Sequence, residues 1–189
     1  MLEEETARER VLDAAEGLYY QRGVQAVGMD AVRNASGVSL KRLYRLYPSK
    51  GDLVEAYLRR RDAQLLQRLV GYVDTVDGTP QDRVLAVFDW LYSWFSESDY
   101  RGCAFINSYG ELGAASPAVA EVARKHKAAF RRRVADLVAA AGLPASLADQ
   151  LSLLVEGAIT TAAISRTPEP ARTARDAAQA LIKVSRTAA

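Results

Sequence analysis

The chain contains one cysteine, Cys103, and one histidine, His126, so any nucleophilic or metal chemistry has to start from these two residues. A cysteine nucleophile needs a base, and the base needs a third group to orient it. No such group has a recognisable context beside this pair, and no catalytic residue is assigned. The flanks of Cys103 are mostly apolar (Gly102, Ala104, Phe105), and only Arg101 favours a thiolate. That is the setting of a buried, inert thiol more than of a redox sensor. A single Cys excludes an internal disulfide and a Cys-based zinc site, and a single His leaves no material for a histidine cluster. No metal and no cofactor are expected.

The other chemistry on offer is electrostatic. Between Arg33 and Arg61 stand eight basic residues (Arg33, Lys41, Arg42, Arg45, Lys50, Arg59, Arg60, Arg61) against Asp52 and Glu55, a local excess of +6. The remaining 160 residues sum to −4, so the overall charge of +2 conceals the asymmetry. A basic island in an otherwise acidic chain points to a polyanionic partner or to a solvated helix face. At 189 residues, 49% hydrophobic and 25% charged, the composition is that of a globular chain able to bury about 70% of its unfolded surface. The N-terminal Glu3-Glu4-Glu5 is acidic where a secretory signal is basic. The longest uncharged run, Leu137 to Ala148, has 12 residues, too few for a bilayer span. A cytoplasmic location and no membrane partner are expected.

The elements that position these residues read as helices. Thr6 with Glu9 resembles a capping box opening a helix through Val11, Ala15 and Tyr19 to Gly23. A short helix runs from Met29 to Ala35, and Gly37 supplies a left-handed stop. Ser39 opens a third helix, which Pro48 breaks. Ser49, with Asp52 as its acidic partner, caps a helix of about 25 residues. Asp77-Gly78-Thr79-Pro80 is the clearest interruption. Beyond it come an aromatic helix to Phe95, a short helix over Gly102 to Gly113, and a helix opened by Ser116-Pro117 and stopped by Gly142. Two more follow, from Ser146 to Ser165 and from Ala171 to Arg186. The fold class is all-α, with about nine helices and no convincing strand.

A short helix, a glycine turn and a short basic helix follow one another in the order of a helix-turn-helix. The ordered motifs Arg8-Glu9-Arg10-Val11-Leu12-Asp13-Ala14-Ala15, Gly23, Ala35-Ser36-Gly37-Val38-Ser39, Leu43-Tyr44 and Tyr47-Pro48-Ser49-Lys50-Gly51-Asp52-Leu53 resemble the N-terminal domain of tetracycline-repressor-type (TetR family) transcriptional regulators. The resemblance spans about residues 6 to 60. It implies that Leu40, Lys41, Arg42, Tyr44 and Arg45 face DNA and that Lys50 contacts phosphate. Arg and Lys suit guanine O6 and N7, and Tyr44 suits the backbone or a thymine methyl. The sequence departs from the family at Gly28, where a Thr or Ser usually caps the second helix and reaches a phosphate. It departs again at Leu40, where a polar or basic residue is common.

In the second half, Trp90 and Trp94 lie one turn apart on a different face from Phe88, Leu91 and Phe95, as in a helix that fills a core and also lines a cavity. The segment Gly102-Cys103-Ala104-Phe105-Ile106-Asn107 looks like the start of the family's sixth helix, which leads toward ligand and hinge. The candidate ligand-binding residues are Trp90, Trp94, Phe105, Asn107, Tyr109, His126 and Phe130, with Glu111 a further polar candidate. Each has an ordinary core or helix-end role as its alternative. The resemblance also implies dimerisation through the last two helices, by Leu151, Leu154, Val155, Ala158, Ile159 and Ala162 on one and Ala177 and Leu181 on the other. An intramolecular hairpin is the alternative there.

The expected organisation is a DNA-binding head over residues 1–48, a connecting helix over 49–76, and a ligand-binding and dimerisation body over 77–189. The expected function is that of a non-enzymatic, ligand-responsive regulator. It is a repressor that binds a palindromic operator in double-stranded DNA as a homodimer and is released by a small molecule. The alternative is a helical homodimer that binds a small molecule or protein without DNA.

Overall fold

The computed structural model describes residues 2–187, and among them are nine helices and no strand: α1 (Leu2–Arg22), α2 (Met29–Ser36), α3 (Leu40–Leu46), α4 (Lys50–Asp74), α5 (Pro80–Phe95), α6 (Ala104–Leu112), α7 (Pro117–Ala140), α8 (Ser146–Ser165) and α9 (Glu169–Thr187). Capping chemistry explains most of the boundaries. Ser39 Oγ accepts from Arg42 N at the start of α3. Ser49 Oγ accepts from Asp52 N at 3.2 Å while Asp52 Oδ2 accepts from Ser49 N at 2.9 Å, so two otherwise orphaned donors are satisfied reciprocally. Thr79 and Asp82 repeat that arrangement ahead of Pro80, and Ser116 Oγ accepts from Val119 N to open α7.

The start of the first helix differs most from the sequence expectation. The first helix begins at Leu2, so Thr6 lies inside it and is no cap. Its first turn carries Glu3, Glu4 and Glu5, whose charges complement the positive end of the helix dipole and replace a capping hydroxyl. At the far end of the chain, α8 stops on Arg166, whose φ of 56° lies in the left-handed region. That conformation suits Gly or Asn, and it costs a side chain such as arginine about 1–2 kcal/mol.

The chain divides into two compact units. One comprises Met1–Ala63 with Ala104–His126, the other Gln64–Cys103 with Lys127–Ala189. These limits do not coincide with the head and body expected from the sequence, because α4 and α7 each contribute to both units. In the first unit, Val11, Ala15, Val32, Leu43, Leu53 and Tyr57 are essentially inaccessible, and each of the valines and leucines is worth roughly 1.5–3 kcal/mol of burial. In the second, α5, α8 and α9 pack on one another around Phe88, Leu91, Leu151, Val155, Ala178 and Ile182. Arg175 Nε donates to Asp89 Oδ1 at 2.7 Å between α9 and α5.

Although no span is expected from the uncharged runs, α8 is long and apolar enough by length and composition to cross a bilayer. Its Leu147, Leu151, Val155, Ile159 and Ala162 are buried within the second unit, which is the pattern of a core helix.

Candidate nucleic-acid interface and sensor site

The helix-turn-helix is built from the turn outward. Gly37 has φ 64° and its N–H donates to Arg33 O at 3.0 Å, so the turn between α2 and α3 uses the one residue type that reaches this region without steric cost. Val38 and Leu43 are buried beside it and hold the two helices together. With Leu43 and Leu46 inward, α3 turns Leu40, Lys41, Tyr44 and Arg45 outward. Leu40 is 40% and Tyr44 45% exposed, and Lys41 and Arg45 are exposed as well. Among the described residues neither Lys41 nor Arg45 makes an ion pair.

The other two sequence-derived contacts are engaged within the protein. The Arg42 guanidinium donates to the carbonyl of Glu3 in the first turn of α1, so any base contact by Arg42 must exchange that bond. Lys50 Nζ donates to Gln25 O at 3.4 Å from the first turn of α4.

The basic island also resolves into two parts. Arg60 reaches Asp13 and Glu16 at 2.7 Å each. Arg61 reaches Glu16 at 2.8 Å and lies 3.8 Å over the Tyr20 ring. Arg59 pairs with Glu55 at 2.6 Å. Burial works against the Arg60 cation, but its hydrogen bonds to Asp13 and Glu16 outweigh that and hold its pKa above the ordinary value. Arg59, Arg60 and Arg61 of α4 are therefore matched by acids of α1 and α4, and three of the island's eight basic residues are engaged within the protein. The cations left for a polyanion lie on α3 and at the start of α4.

The candidate ligand residues separate into subsets. In the first unit, Phe105 and His126 stack face to face, with ring centroids 3.6 Å apart and an interplanar angle of 8°. His126, which is buried, hydrogen-bonds through Nδ1 to Asp62 Oδ1 at 2.7 Å. Asn107 is exposed and Tyr109 is 52% exposed. Glu111 accepts from Gln25 N at 2.6 Å, and its backbone carbonyl accepts from Gln25 Nε2 at 2.7 Å, which makes it a clasp between α6 and the turn after α1. In the second unit, Trp90 and Trp94 are buried and stacked on each other with centroids 5.2 Å apart. Phe130 is buried too. Cys103 is buried, as the flanking residues suggest, and receives a hydrogen bond at 3.4 Å from Lys127 Nζ, which also meets Glu156 at 2.6 Å.

The dimerisation candidates divide in the same way. Leu151, Val155, Ala158, Ile159 and Ala162 are buried inside the single chain, where they form the inner stripe of α8, so any partner surface belongs to the opposite stripe. Leu154, Ala177 and Leu181 are half-buried. Leu153 (73% exposed) and Ile164 (79%), which sequence reasoning passed over, and Val184 (67%) are the exposed large apolar side chains of α8 and α9. Leu153 could have been found from its helical register, since it lies outside the stripe that Leu151 and Val155 define.

A cleft of about 600 Å3 in the second unit, lined by Phe95, Ser96, Tyr100, Arg101, Ala163 and Arg166 among others, was not anticipated from the sequence. Its aromatic wall is Phe95 and Tyr100, with ring centroids 4.9 Å apart, and Tyr100 Oη donates to Ile159 O at 2.8 Å. Its polar residues come from two loops far apart in the chain, and neither loop carries a motif.

Comparison with known proteins bears on both halves. Residues 11–57 match the family model of bacterial regulatory proteins of the tetR family. Residues 80–178 match that of the tetracyclin repressor-like C-terminal domain. The uncharacterized HTH-type transcriptional regulator Rv1255c of Mycobacterium tuberculosis is 38% identical over 82 residues, a match spanning 43% of this chain and 40% of that protein. Among solved structures, a tetR-type transcriptional regulator (sav143) from Streptomyces avermitilis is 31% identical, with 92% of this chain and 98% of that chain covered at a TM-score of 0.77. The reduced form of NemR from E. coli is 25% identical, with 91% and 94% covered at a TM-score of 0.82. The TetR-family regulator SCO4454 of Streptomyces coelicolor has the same fold at 24% identity, with 96% of each chain covered and a TM-score of 0.84.

Proposed function

Because the chain belongs to the tetR family of bacterial transcriptional regulators, which are DNA-binding helix-turn-helix proteins and not enzymes, we propose that it acts as a ligand-responsive repressor. It binds a palindromic operator as a homodimer in the cytoplasm, where the bacterial chromosome is, and a small molecule releases it. The head is residues 1–48, α4 connects over 49–76, and 77–189 form the sensing and dimerising body. The observation that carries the DNA reading is the outward face of α3, where Lys41, Tyr44 and Arg45 stand exposed with no acid paired to either cation among the described residues.

The roles follow from that geometry. Arg45 and Lys41 read base edges in the major groove, and Tyr44 sets the register on the backbone or a thymine methyl. Leu40 suits a thymine methyl, and Arg42 joins once its bond to Glu3 exchanges. Lys50 neutralises a phosphate. The dimer face is the outward stripe of α8 and α9, which carries exposed Leu153, Ile164 and Val184 and a groove of about 480 Å3 lined by Leu153, Leu154, Thr161 and Ala177 among others. Exposed apolar residues in this density mark an association surface. A twofold dimer holds two recognition helices about 34–36 Å apart, one turn of duplex. A ligand that binds better at another spacing lowers operator affinity by linkage. Ligand residues are drawn from Trp90, Trp94, Phe105, His126 and Phe130, with Asn107 and Tyr109 requiring a change of exposure to take part.

A gel shift with the DNA flanking the protein's own gene tests the reading. A retarded complex that survives competitor DNA supports it. No complex with that fragment or with any genomic fragment leaves the alternative, a helical homodimer without DNA binding.

A further inference from the structure

We propose that α1 contributes a phosphate contact to the DNA interface through Arg10, whose guanidinium covers the turn of the helix-turn-helix. A Cβ built on Gly37 would lie 2.6 Å from Arg10 Nη2, so the bare glycine backbone between α2 and α3 has this cation directly against it. The two meet in a groove of about 470 Å3 that also includes Ser39, the N-cap of α3, and Arg42. The lining carries two cations, Arg10 and Arg42, against one carboxylate, Glu3. Arg42 is occupied by the Glu3 carbonyl, whereas Arg10 is not engaged. Ser39 Oγ accepts from Arg42 N and keeps its own proton for an oxygen acceptor.

Helical spacing explains why that charge is uncompensated. Side chains three and four positions away are a residue's neighbours on a helix, and for Arg10 these are Thr6, Ala7, Asp13 and Ala14. The one acid among them, Asp13, is held by Arg60 at 2.7 Å. Arg10 itself is exposed, and among the described residues no carboxylate is paired with it. The bridge between α1 and α4 that takes Arg60 out of the charge available to DNA therefore leaves Arg10 in it. Because Arg10 lies outside the basic island, a count of charges along the chain gives it no weight.

The place of this cation decides its partner. A recognition helix presents its N-terminal residues to base edges, and the elements beside that end cross the sugar-phosphate backbone. The groove borders the N-cap of α3, immediately before Leu40 and Lys41, so a duplex read by Lys41 and Arg45 brings its backbone to the groove. A guanidinium suits a phosphate because its parallel N–H donors match two oxygens, and the Ser39 hydroxyl supplies a further donor. The contact rests on the proposed DNA binding through α3, and it extends that interface from α3 and the start of α4 to α1.

The test titrates the full-length protein by fluorescence anisotropy against two labelled duplexes at several salt concentrations, one a genomic fragment that the parent selects and one of random sequence and equal length. Arg10→Ala is expected to weaken both by a similar factor, about tenfold for two half-sites near physiological salt, and to flatten the salt slope by about 0.9 per half-site. Arg10→Lys keeps the charge and is expected to keep the slope. Arg132→Ala removes an exposed cation of α7 in the second unit and is expected to change neither quantity. Alanine suits an exposed helical position, so the melting temperature of Arg10→Ala is expected to match the parent's. An Arg10→Ala protein with the parent's affinity and slope would overturn the contact. So would a loss of affinity with the slope unchanged, a loss confined to the selected duplex, or a flattening that Arg132→Ala reproduces. A parent that binds neither duplex overturns the DNA-binding reading itself, whereas a parent that binds both beside an indifferent Arg10→Ala overturns only this contact.

Discussion

Gly28 is the position at which a single added hydroxyl should strengthen DNA binding. It is the N-cap of α2, with φ −87° and ψ 168° and no side-chain cap. That backbone is open to any residue, and a Cβ built on it meets nothing within 4 Å. Gly28→Thr therefore fits without strain. Its hydroxyl adds a few tenths of a kcal/mol as a helix cap. In the family this position reaches a phosphate, and one hydrogen bond there is worth about 1 kcal/mol. Two half-sites per dimer give about 2 kcal/mol, or roughly a thirtyfold gain in operator affinity. The added group is neutral and releases no counterion, so the dependence of affinity on salt keeps its slope. Fluorescence anisotropy titrations at several salt concentrations, with Gly28→Ala as the control lacking the hydroxyl, measure both quantities. An affinity within twofold of the parent in a normally folded Gly28→Thr protein would refute the placement of α2 against the backbone. A steeper salt slope would refute the neutral-contact argument.

Other variants test the same geometry. Lys50→Ala should weaken binding to all sequences and flatten the salt slope by about 0.9 per half-site, whereas Arg45→Ala should relax preference at one base pair at a cost of about 1–3 kcal/mol; titrations against a mutated-operator series distinguish the two. Thr79→Ala removes the hydroxyl that caps α5 and should cost about 1 kcal/mol, a fall of roughly 2–4 °C in melting temperature. Hydrogen bonds from the Thr79 side chain and backbone hold the Asp82 carboxyl below its ordinary 3.8; the stabilisation is present above that value and is lost as pH falls through the depressed one, so parent and Asp82→Ala melting temperatures should converge in acid. Leu153→Glu places a charge on a side chain that is 73% exposed and should halve the mass seen by light scattering without unfolding the protomer.

Local chemistry made most of the fold legible. Gly37, Ser39, Pro48, Ser49, Thr79-Pro80, Ser116-Pro117 and Gly142 act within a turn of their own position, and the breaks between α2 and α3, α3 and α4, α4 and α5, α6 and α7, and α7 and α8 fall beside them. Thr6 misled because three glutamates before it stabilise an earlier start through the dipole, an effect spread over a turn and carried by no one residue. The exposure of Lys41 and Arg45 was legible from helical spacing, whereas the reading of that face toward DNA comes from the family resemblance. The charge count overstated it, since composition cannot show that Asp13 and Glu16, more than forty positions away, meet Arg60 and Arg61.

The dimerisation stripe shows the reverse limit. Apolarity selects the side of α8 that is buried first, and in this chain that side faces α5 and α9, which leaves Leu153 and Ile164 outward. The cleft was invisible for a topological reason. Arg101 and Arg166 lie 65 positions apart in two loops, and only the packing of α5 against α8 brings them to one cavity.

The central claim is that the outward face of α3 reads a twofold-symmetric site in DNA. Selection of bound fragments from sheared genomic DNA, in parallel for the parent protein and a Lys41→Ala/Arg45→Ala variant at near-physiological salt, tests it most directly. The account predicts enrichment by the parent of a small set of fragments sharing inverted half-sites about one helical turn apart, and no enrichment by the variant. Equal enrichment by both proteins, or recovery by the parent of fragments with no shared symmetric element, would contradict it.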